Sequence, residues 1–464
     1  MKNKKMGFWT VIAMTLTATI GTSIILTYGS VFALSQNNPL LMIFAWIIGG
    51  IIILPETFIM VEPTISFKEN GTAYSWLRRA NWKVMAFWLG WVLMLFVSAV
   101  AIATASLAIT NIIKEFSGYE NEYVWKFVSI LILFTIGGSQ IFIRNFSYNS
   151  QIVFLVIKSL PILFILILAL VYGVNDDLLS SNAMKQNLKD AYIGGSLLIP
   201  AITMTMFSYS GTEIPTYVAA DTKDPEKTTP RVIFAGVIIV TVVYIVYAVA
   251  ILSISNIGDN KILNVFANTP KWAKIVFNSI AIILFIGAIN SYLVYQTVLV
   301  KKMAEEKDLS KHFLKNSKFS DKPLNSMLLL MLLATVYIIF NDIRDLLGYF
   351  SLAVSALKTL MTTNVIYLRI KDKEYKKIYK DWLFYTFAAF SYLACILTLV
   401  GSFMLLLMGI KTEDIWKPIV MILIVILIIP VGFLKFHIQK KLENKKLQQV
   451  ENDNKNQKEV TNNK

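Results

Sequence analysis

One cysteine and two histidines are all the thiol and imidazole chemistry that this 464-residue chain contains. A lone Cys395 excludes a disulfide framework and any cysteine-built metal site. His312 and His437 both fall in charged flanking sequence, which argues against a metalloenzyme or a histidine acid–base pair. No nucleophile–base constellation is recognisable either, so an enzymatic role is disfavoured and no cofactor is implied. Acid is scarce as well: 29 Asp and Glu stand against 44 Lys and Arg, for a formal net charge of +15.

What is abundant is apolar. The chain is 56% hydrophobic, with 29 Phe, 20 Tyr and 10 Trp, and it repeats apolar stretches of membrane-spanning length. It reads as an all-α membrane protein, one bundle rather than several soluble domains. The start, Met1-Lys2-Asn3-Lys4-Lys5 and an apolar run, imitates a signal peptide. That run extends to about Leu34, however, with no small-residue cleavage site after it, so it reads as the first span.

Twelve spans are predicted: 8–34, 40–66, 84–113, 125–143, 150–173, 192–220, 231–256, 273–303, 325–340, 346–368, 382–409 and 416–437. The ninth and tenth, joined by the tight 341–345 connection, form a hairpin. Lys and Arg gather in the N-terminus, the 68–83, 301–322 and 369–380 loops and the tail from Lys435, all on one side in a twelve-span arrangement. The opposite connections hold acid, such as Glu115, Glu120, Asp176 and Glu413. Both termini are therefore expected to be cytoplasmic. The basic excess then faces anionic lipid headgroups rather than nucleic acid. After about Lys440 the tail is rich in Asn, Gln, Lys and Glu, and it reads as disordered or loosely helical and solvated.

Two spans are interrupted, at Ile20-Gly21-Thr22-Ser23 and at Ser210-Gly211-Thr212-Glu213. Unwound backbone at membrane depth is tolerated only where protein buries it or a cavity receives it. Breaks in corresponding segments of two halves point to a transporter's binding site. At the first, the amides of Thr22, Ser23 and Ile24 and the hydroxyls of Thr22 and Ser23 would form the positive end of a half-helix, suited to a carboxylate. Taken alone, this segment reads more readily as a packing glycine with satisfied hydroxyls, and it is the second break that shifts the balance. At the second, Phe207-Ser208-Tyr209-Ser210-Gly211-Thr212-Glu213-Ile214-Pro215 would free carbonyls at Phe207 and Ser210 for an ammonium group. Phe207 or Tyr209 reads either as an aromatic gate or as ordinary packing. Together the two ends describe the backbone of an α-amino acid.

The run Tyr209-Ser210-Gly211-Thr212-Glu213, with Asp221-Thr222-Lys223-Asp224-Pro225-Glu226-Lys227-Thr228-Thr229-Pro230-Arg231, resembles the sixth helix and following loop of the amino acid–polyamine–organocation family of transporters. Gly71, Tyr74 and Leu77, with Ala86-Phe87 and Gly90-Trp91, resemble that family's loop between helices two and three. Gln296-Thr297 with Lys307-Asp308-Leu309 and Phe313 is similar to the end of its helix eight, although the usual Asp-Gly is replaced. The first break reads Gly-Thr-Ser where the family prefers Gly-Ser-Gly.

The resemblance implies a LeuT-like fold, a five-plus-five inverted repeat with broken helices one and six. The parts are then a cytoplasmic start (1–7), a first repeat (8–173), a second, inverted repeat (192–370), two peripheral helices (382–437) and a cytoplasmic tail (438–464). It further implies alternating access around a midplane site. Thr22 and Ser23 would take the substrate carboxylate. The carbonyls of Thr19, Phe207 and Ser210 would take its amino group, and Phe207 would be the gate. The site then comprises Thr19, Ile20, Gly21, Thr22 and Ser23 with Phe207, Ser208, Tyr209, Ser210 and Gly211, bordered by Asn290 and Ser291 of helix eight.

Lys158, Lys358 and Glu213 are charged residues inside predicted spans, and intramembrane charge marks function by default. In some members of the family a helix-five lysine stands where sodium-coupled members hold their ion, so by resemblance Lys158 implies sodium independence. All three are candidates for proton coupling. Lys358 also reads as a lysine snorkelling to an interface, and Glu56, after Pro55, as a packed, protonated carboxyl. Two buried lysines against few carboxylates disfavour cationic substrates and favour neutral or acidic amino acids.

The expectation is therefore a sodium-independent permease or exchanger of the cell membrane. Its rivals are a sodium-coupled symporter and a membrane sensor that binds amino acids without moving them. Uniport, proton symport and exchange are all compatible with these residues.

Overall fold

Apolar side chains at every turn leave a buried backbone to satisfy its own hydrogen bonds, which a helix does within one segment. The computed structural model describes residues 6–67, 72–142, 158–173, 198–217, 222–257, 263–316, 323–408 and 416–462, and these are overwhelmingly helical. In chain order the helices are α1 (Phe8–Thr19), α2 (Thr22–Leu34), α3 (Pro39–Ile59), α4 (Val61–Phe67), α5 (Thr72–Arg79), α6 (Lys83–Val92), α7 (Ala99–Ser117) and α8 (Glu122–Phe142). There follow α9 (Leu160–Tyr172), α10 (Leu198–Ser208), α11 (Ile214–Tyr217), α12 (Pro225–Ile254), α13 (Lys271–Glu305), α14 (Leu324–Phe340), α15 (Ile343–Lys371), α16 (Asp381–Met408) and α17 (Trp416–Asn462). A two-residue antiparallel pairing joins Asn256–Ile257 to Leu263–Asn264.

Eight of the described helical segments are long and apolar enough to cross a membrane, and Thr22–Leu34, Leu160–Tyr172, Leu198–Ser208 and Leu324–Phe340 are shorter apolar helices. The spans near 143–157 and 192–197 lie partly outside the described residues.

Local chemistry accounts for several boundaries. Asn38 caps α3 by accepting from the amides of Leu40 and Leu41, at 2.9 and 3.2 Å. α3 ends at Ile59 and α4 restarts at Val61. Pro63 lacks an amide hydrogen and its ring crowds the carbonyl four residues back, at Ile59, so the helix cannot continue regularly through it. Between α6 and α7 the segment Leu93–Ser98 is a π-helix. Two residues, Asn341 and Asp342, separate α14 from α15, the tight hairpin expected there.

At the carboxyl end α17 runs on through Asn462, so of the two forms expected for the tail it takes the helical one. From Gln439 onward there is no glycine or proline, and Lys, Glu, Gln and Leu are good helix formers.

The unit Lys83–Ser117 is the centre of the bundle, with 83% of its apolar window buried, whereas Ile419–Gln439 in α17 has 6% and lies at the edge. α13, α14 and α15 pack around α7, α12 packs on α3 and α1, and α16 packs on α15, α3 and α10. α10 lies against α2, and α1 against α11. The two interrupted segments thus meet.

Candidate functional site

At the first break α1 stops at Thr19. Ile20 still donates its amide to Leu16, at 2.7 Å. Its own ψ of 120° and the extended backbone of Gly21 then open the chain before α2 begins at Thr22. No side chain caps α2, so its leading amides and the positive end of its dipole face the break. Thr22 and Ser23 are half-buried there.

At the second break α10 stops at Ser208 and the chain turns through 209–213 before α11. Gly211 sits at φ +111°, a conformation that side-chain-bearing residues rarely adopt. Its amide donates to Glu213 Oε2 at 2.8 Å, so the carboxylate holds the turn. Ser210 donates its amide to the Phe207 carbonyl at 3.3 Å, while the Ser210 side chain is exposed. This corrects one detail of the expected site. The Phe207 carbonyl is engaged within the turn, and the Ser208 carbonyl is the one that faces the first break.

Two hydroxyls close the junction. Tyr244 Oη of α12 lies 2.8 Å from the Thr19 carbonyl and 2.7 Å from the Ser208 carbonyl. Ser23 Oγ lies 3.2 Å and 3.4 Å from the same two oxygens. Each hydroxyl has one hydrogen, so two donors serve two carbonyls, each with a lone pair to spare for a further donor such as an ammonium. Alongside, Thr27 Oγ1 and Ser208 Oγ are 2.6 Å apart.

The neighbouring helices come this close because α3 presents Gly49 and Gly50. A Cβ on Gly49 would collide with Thr205 of α10, and one on Gly50 with Thr241 of α12. Tyr209 is wholly buried in this seam, donating to the Trp46 carbonyl at 2.8 Å with its ring 5.3 Å from that of Tyr244. Tyr209 is therefore a packing residue, and of the two aromatics considered as a gate only Phe207 faces open space. Its ring meets Phe350 of α15 edge-on at 4.6 Å. A narrow cavity is lined by Met206, Phe207, Phe350, Ser351, Ser355 and Lys358, together with Val354 and Thr398.

Asn290 and Ser291 do not line this cavity. Asn290 is fully buried toward α8, where Gln140 Nε2 donates to its Oδ1 at 2.7 Å and to its carbonyl at 3.0 Å.

Each intramembrane charge has a definite place. Lys158 stands just ahead of α9, its Cγ and Cδ 3.8 Å from where a Gly21 side chain would begin, and it makes no ion pair among the described residues. Lys358, at the middle of α15, is not snorkelling. Its Nζ lies 2.7 Å from Glu56 Oε2 of α3, both side chains nearly buried. Glu213 is within electrostatic reach of Glu56.

Beyond the spans, the motif residues of two loops converge on one carboxylate. Asp308 accepts from Tyr74 Oη at 2.5 Å, Arg78 at 2.7 Å and Lys435 of α17 at 2.5 Å. Burial first, and then this hydrogen bond to Asp308, push the Tyr74 hydroxyl well above the ordinary tyrosine range. In the same region Arg79 Nε binds Asp372 at 2.7 Å. Burial pushes the Asp372 carboxyl up, but the Arg79 hydrogen bond, the Glu374 amide and the Arg79 charge together outweigh it and hold that group below the usual carboxylate range. Before α12, Lys223 donates its amide to the Met6 carbonyl at 2.8 Å, tying the loop after the second break to the start of the chain.

Sequence reasoning missed Tyr244 and the pairing of Glu56. A tyrosine hydroxyl inside an apolar span usually finds an acceptor, which was the available signal, although Tyr247 of the same helix has none among the described residues. Composition gives no hint of which acceptor that is.

Comparison with known proteins accords with this geometry. The model of the amino acid permease family matches residues 6–430. The serine/threonine exchanger SteT of Bacillus subtilis is 24% identical over 315 residues, covering 66% of this chain and 69% of that protein. Solute carrier family 7 member 13 of Homo sapiens is 25% identical over 393 residues, 82% of this chain and 83% of the relative. The human cystine/glutamate transporter is 24% identical over 352 residues, 73% and 69% respectively. The chain belongs to the amino acid permease family, within the amino acid–polyamine–organocation superfamily. It is an integral membrane protein of amino acid transport.

Proposed function

We propose that this amino acid permease is a sodium-independent permease or exchanger of neutral or acidic amino acids, working by alternating access around the two helix breaks. The observation that carries the reading is the position of Lys158, whose stem lies against Gly21 with no acidic partner among the described residues. When protonated, a lysine beside an opened helix repels a small cation and attracts an anion. It thus opposes sodium at the first break and reinforces the capless start of α2 as a carboxylate site, taken by Thr22, Ser23 and the adjoining amides. The amino group is received across the junction by the carbonyls of Thr19 and Ser208. Phe207, packed on Phe350, closes over the side chain.

In this reading the helices form a five-plus-five inverted repeat in a twelve-span bundle, and both termini are cytoplasmic in the plasma membrane. Lys158, Glu213 and Lys358 couple substrate movement to protons or to counter-substrate. Two relatives support the substrate class, one a serine/threonine exchanger and the other a cystine/glutamate transporter. The name of the first also supports exchange as the mode.

The test is radiolabelled uptake into proteoliposomes, with twenty amino acids offered outside and, separately, as internal counter-substrates. Uptake is expected to be equal with and without sodium and to be stimulated by internal amino acid or by an imposed pH gradient. Sodium-dependent uptake, or binding without flux, overturns the proposal.

A further inference from the structure

Among the described residues, one that lines the cavity behind Phe207 is charged, Lys358, and that charge is already answered. Lys358 Nζ lies 2.7 Å from Glu56 Oε2, an ion pair between α15 and α3 whose side chains are 16% and 9% exposed. The remaining lining is apolar (Met206, Phe207, Phe350, Val354) or hydroxylic (Ser351, Ser355, Thr398). Two further groups sense the pair. Glu213 is within electrostatic reach of Glu56, and Cys395 of α16 within reach of both Glu56 and Lys358.

A side-chain carboxylate arriving here would compete with Glu56 for Lys358 and would meet the field of Glu213 as well. An arriving ammonium would meet Lys358 at close range. Neither charge is compensated without breaking a buried pair, and breaking one by removing a single partner leaves the other charge stranded at high cost. Neutral side chains meet no such opposition, and the surface the lining turns to the cavity is apolar, with the Ser351 and Thr398 hydroxyls donating to the carbonyls of Leu347 and Cys395 on their own helices.

We infer that Glu56 is a specificity-determining residue: by pairing with Lys358 it closes the cavity to charged side chains and restricts the substrates to neutral amino acids. This rests on the proposed transport function and narrows it. Glu56 acts through Lys358 rather than by touching substrate, so it is a positioning residue. If its charge is removed, a substrate carboxylate becomes the group that restores balance to Lys358. Removal of the lysine charge leaves Glu56 seeking a cation in the same way.

The experiment uses the full chain in proteoliposomes, with radiolabelled L-serine and L-leucine as substrates and L-aspartate, L-glutamate and L-lysine as competitors. The wild-type protein is expected to transport the neutral pair, with weak competition by all three charged amino acids. Glu56→Gln is expected to strengthen competition by aspartate or glutamate roughly tenfold, the worth of one charge-assisted hydrogen bond. Lys358→Gln is expected to shift the preference the opposite way, toward lysine. The double variant, with charge balance restored, is expected to return to neutral substrates. Should Glu56→Gln fail to fold, Lys358→Gln and the double variant carry the test, because the sign of the switch is still read. Wild-type transport of glutamate as effective as that of serine overturns the inference. So do single variants that lower all uptake alike without changing the ratio between classes, including through re-pairing of Lys358 with Glu213. A wild-type protein that moves no amino acid is a different result, and it overturns the transport reading itself.

Discussion

The hydroxyl of Tyr244 stands 2.8 Å from the carbonyl oxygen of Thr19, joining α12 to the open end of α1 across 225 residues of sequence. The same hydroxyl reaches the Ser208 carbonyl of α10, so one side chain pins both broken helices. Tyr244→Phe keeps the ring and its contact with Trp46 but deletes the pin. With two buried carbonyls then sharing Ser23 alone, the variant is expected to lose about 1–3 kcal/mol of stability. Its KM for amino acid should rise more than its kcat falls. Thermal unfolding in detergent and uptake kinetics check both, and an unchanged KM argues against a role for this junction in holding the amino group.

Lys158→Met removes the ammonium at Gly21 while keeping most of the stem. Loss of one charge-assisted contact is expected to weaken substrate affinity roughly tenfold and to abolish stimulation by a pH gradient. Retention of that stimulation would assign the coupling elsewhere.

Gly49→Ala drives a methyl into Thr205 of α10 in a seam with no room to yield. Overpacking of this kind costs about 1–3 kcal/mol. Adding Thr205→Ala is expected to recover part of the loss, which a melting curve for each variant in detergent will show.

Asp308 is buried and neutralises Arg78 and Lys435 together. Asp308→Asn leaves two cations facing one another and is expected to destabilise the protein by about 3–5 kcal/mol. The change should appear as a fall in detergent melting temperature and in yield of folded protein, and Lys435→Gln in the same background should restore part of it.

The Arg79–Asp372 clamp sets an acid limit. Because the folded-state pKa of Asp372 is depressed, its stabilisation is full above the unfolded value of about 4 and is lost as pH falls through the lower folded value. The pair therefore contributes fully and without pH dependence between pH 5 and 8 (roughly the neutral plateau), and melting temperature is expected to drop at more acid pH as that contribution is lost. Arg79→Met should remove that acid-side component.

Much of this molecule was written in local composition. Spans separated by basic and acidic loops follow from apolar runs whose backbone has to bond to itself, and the hairpin at Asn341–Asp342 falls where the sequence placed it. The breaks were legible too, because Gly21 and Gly211 sit among hydroxyl and β-branched residues within apolar segments, and both segments do open there. Family motifs in the loops were readable as residue types at fixed spacing. That Tyr74 and Asp308 would meet on one hydrogen bond was not.

Partnership was what only the tertiary structure decided. A carbonyl freed by a break carries no mark of what it will face, so the sequence could not place Ser208 rather than Phe207 at the junction, or bring Tyr244 to it. Tyr209 and Phe207 are equally aromatic and two residues apart, yet Phe207, still within α10, lines the cavity, while Tyr209, in the turn that follows, enters the Trp46 seam. Lys358 and Glu56 are in different spans, and each alone is a costly charge in an apolar helix. Electrostatic pairing depends on distance in space, and the packing of α15 beside α3 brings them to 2.7 Å. The sequence alone determined a helical membrane protein with two opened helices. Packing determined which atoms those openings present to one another.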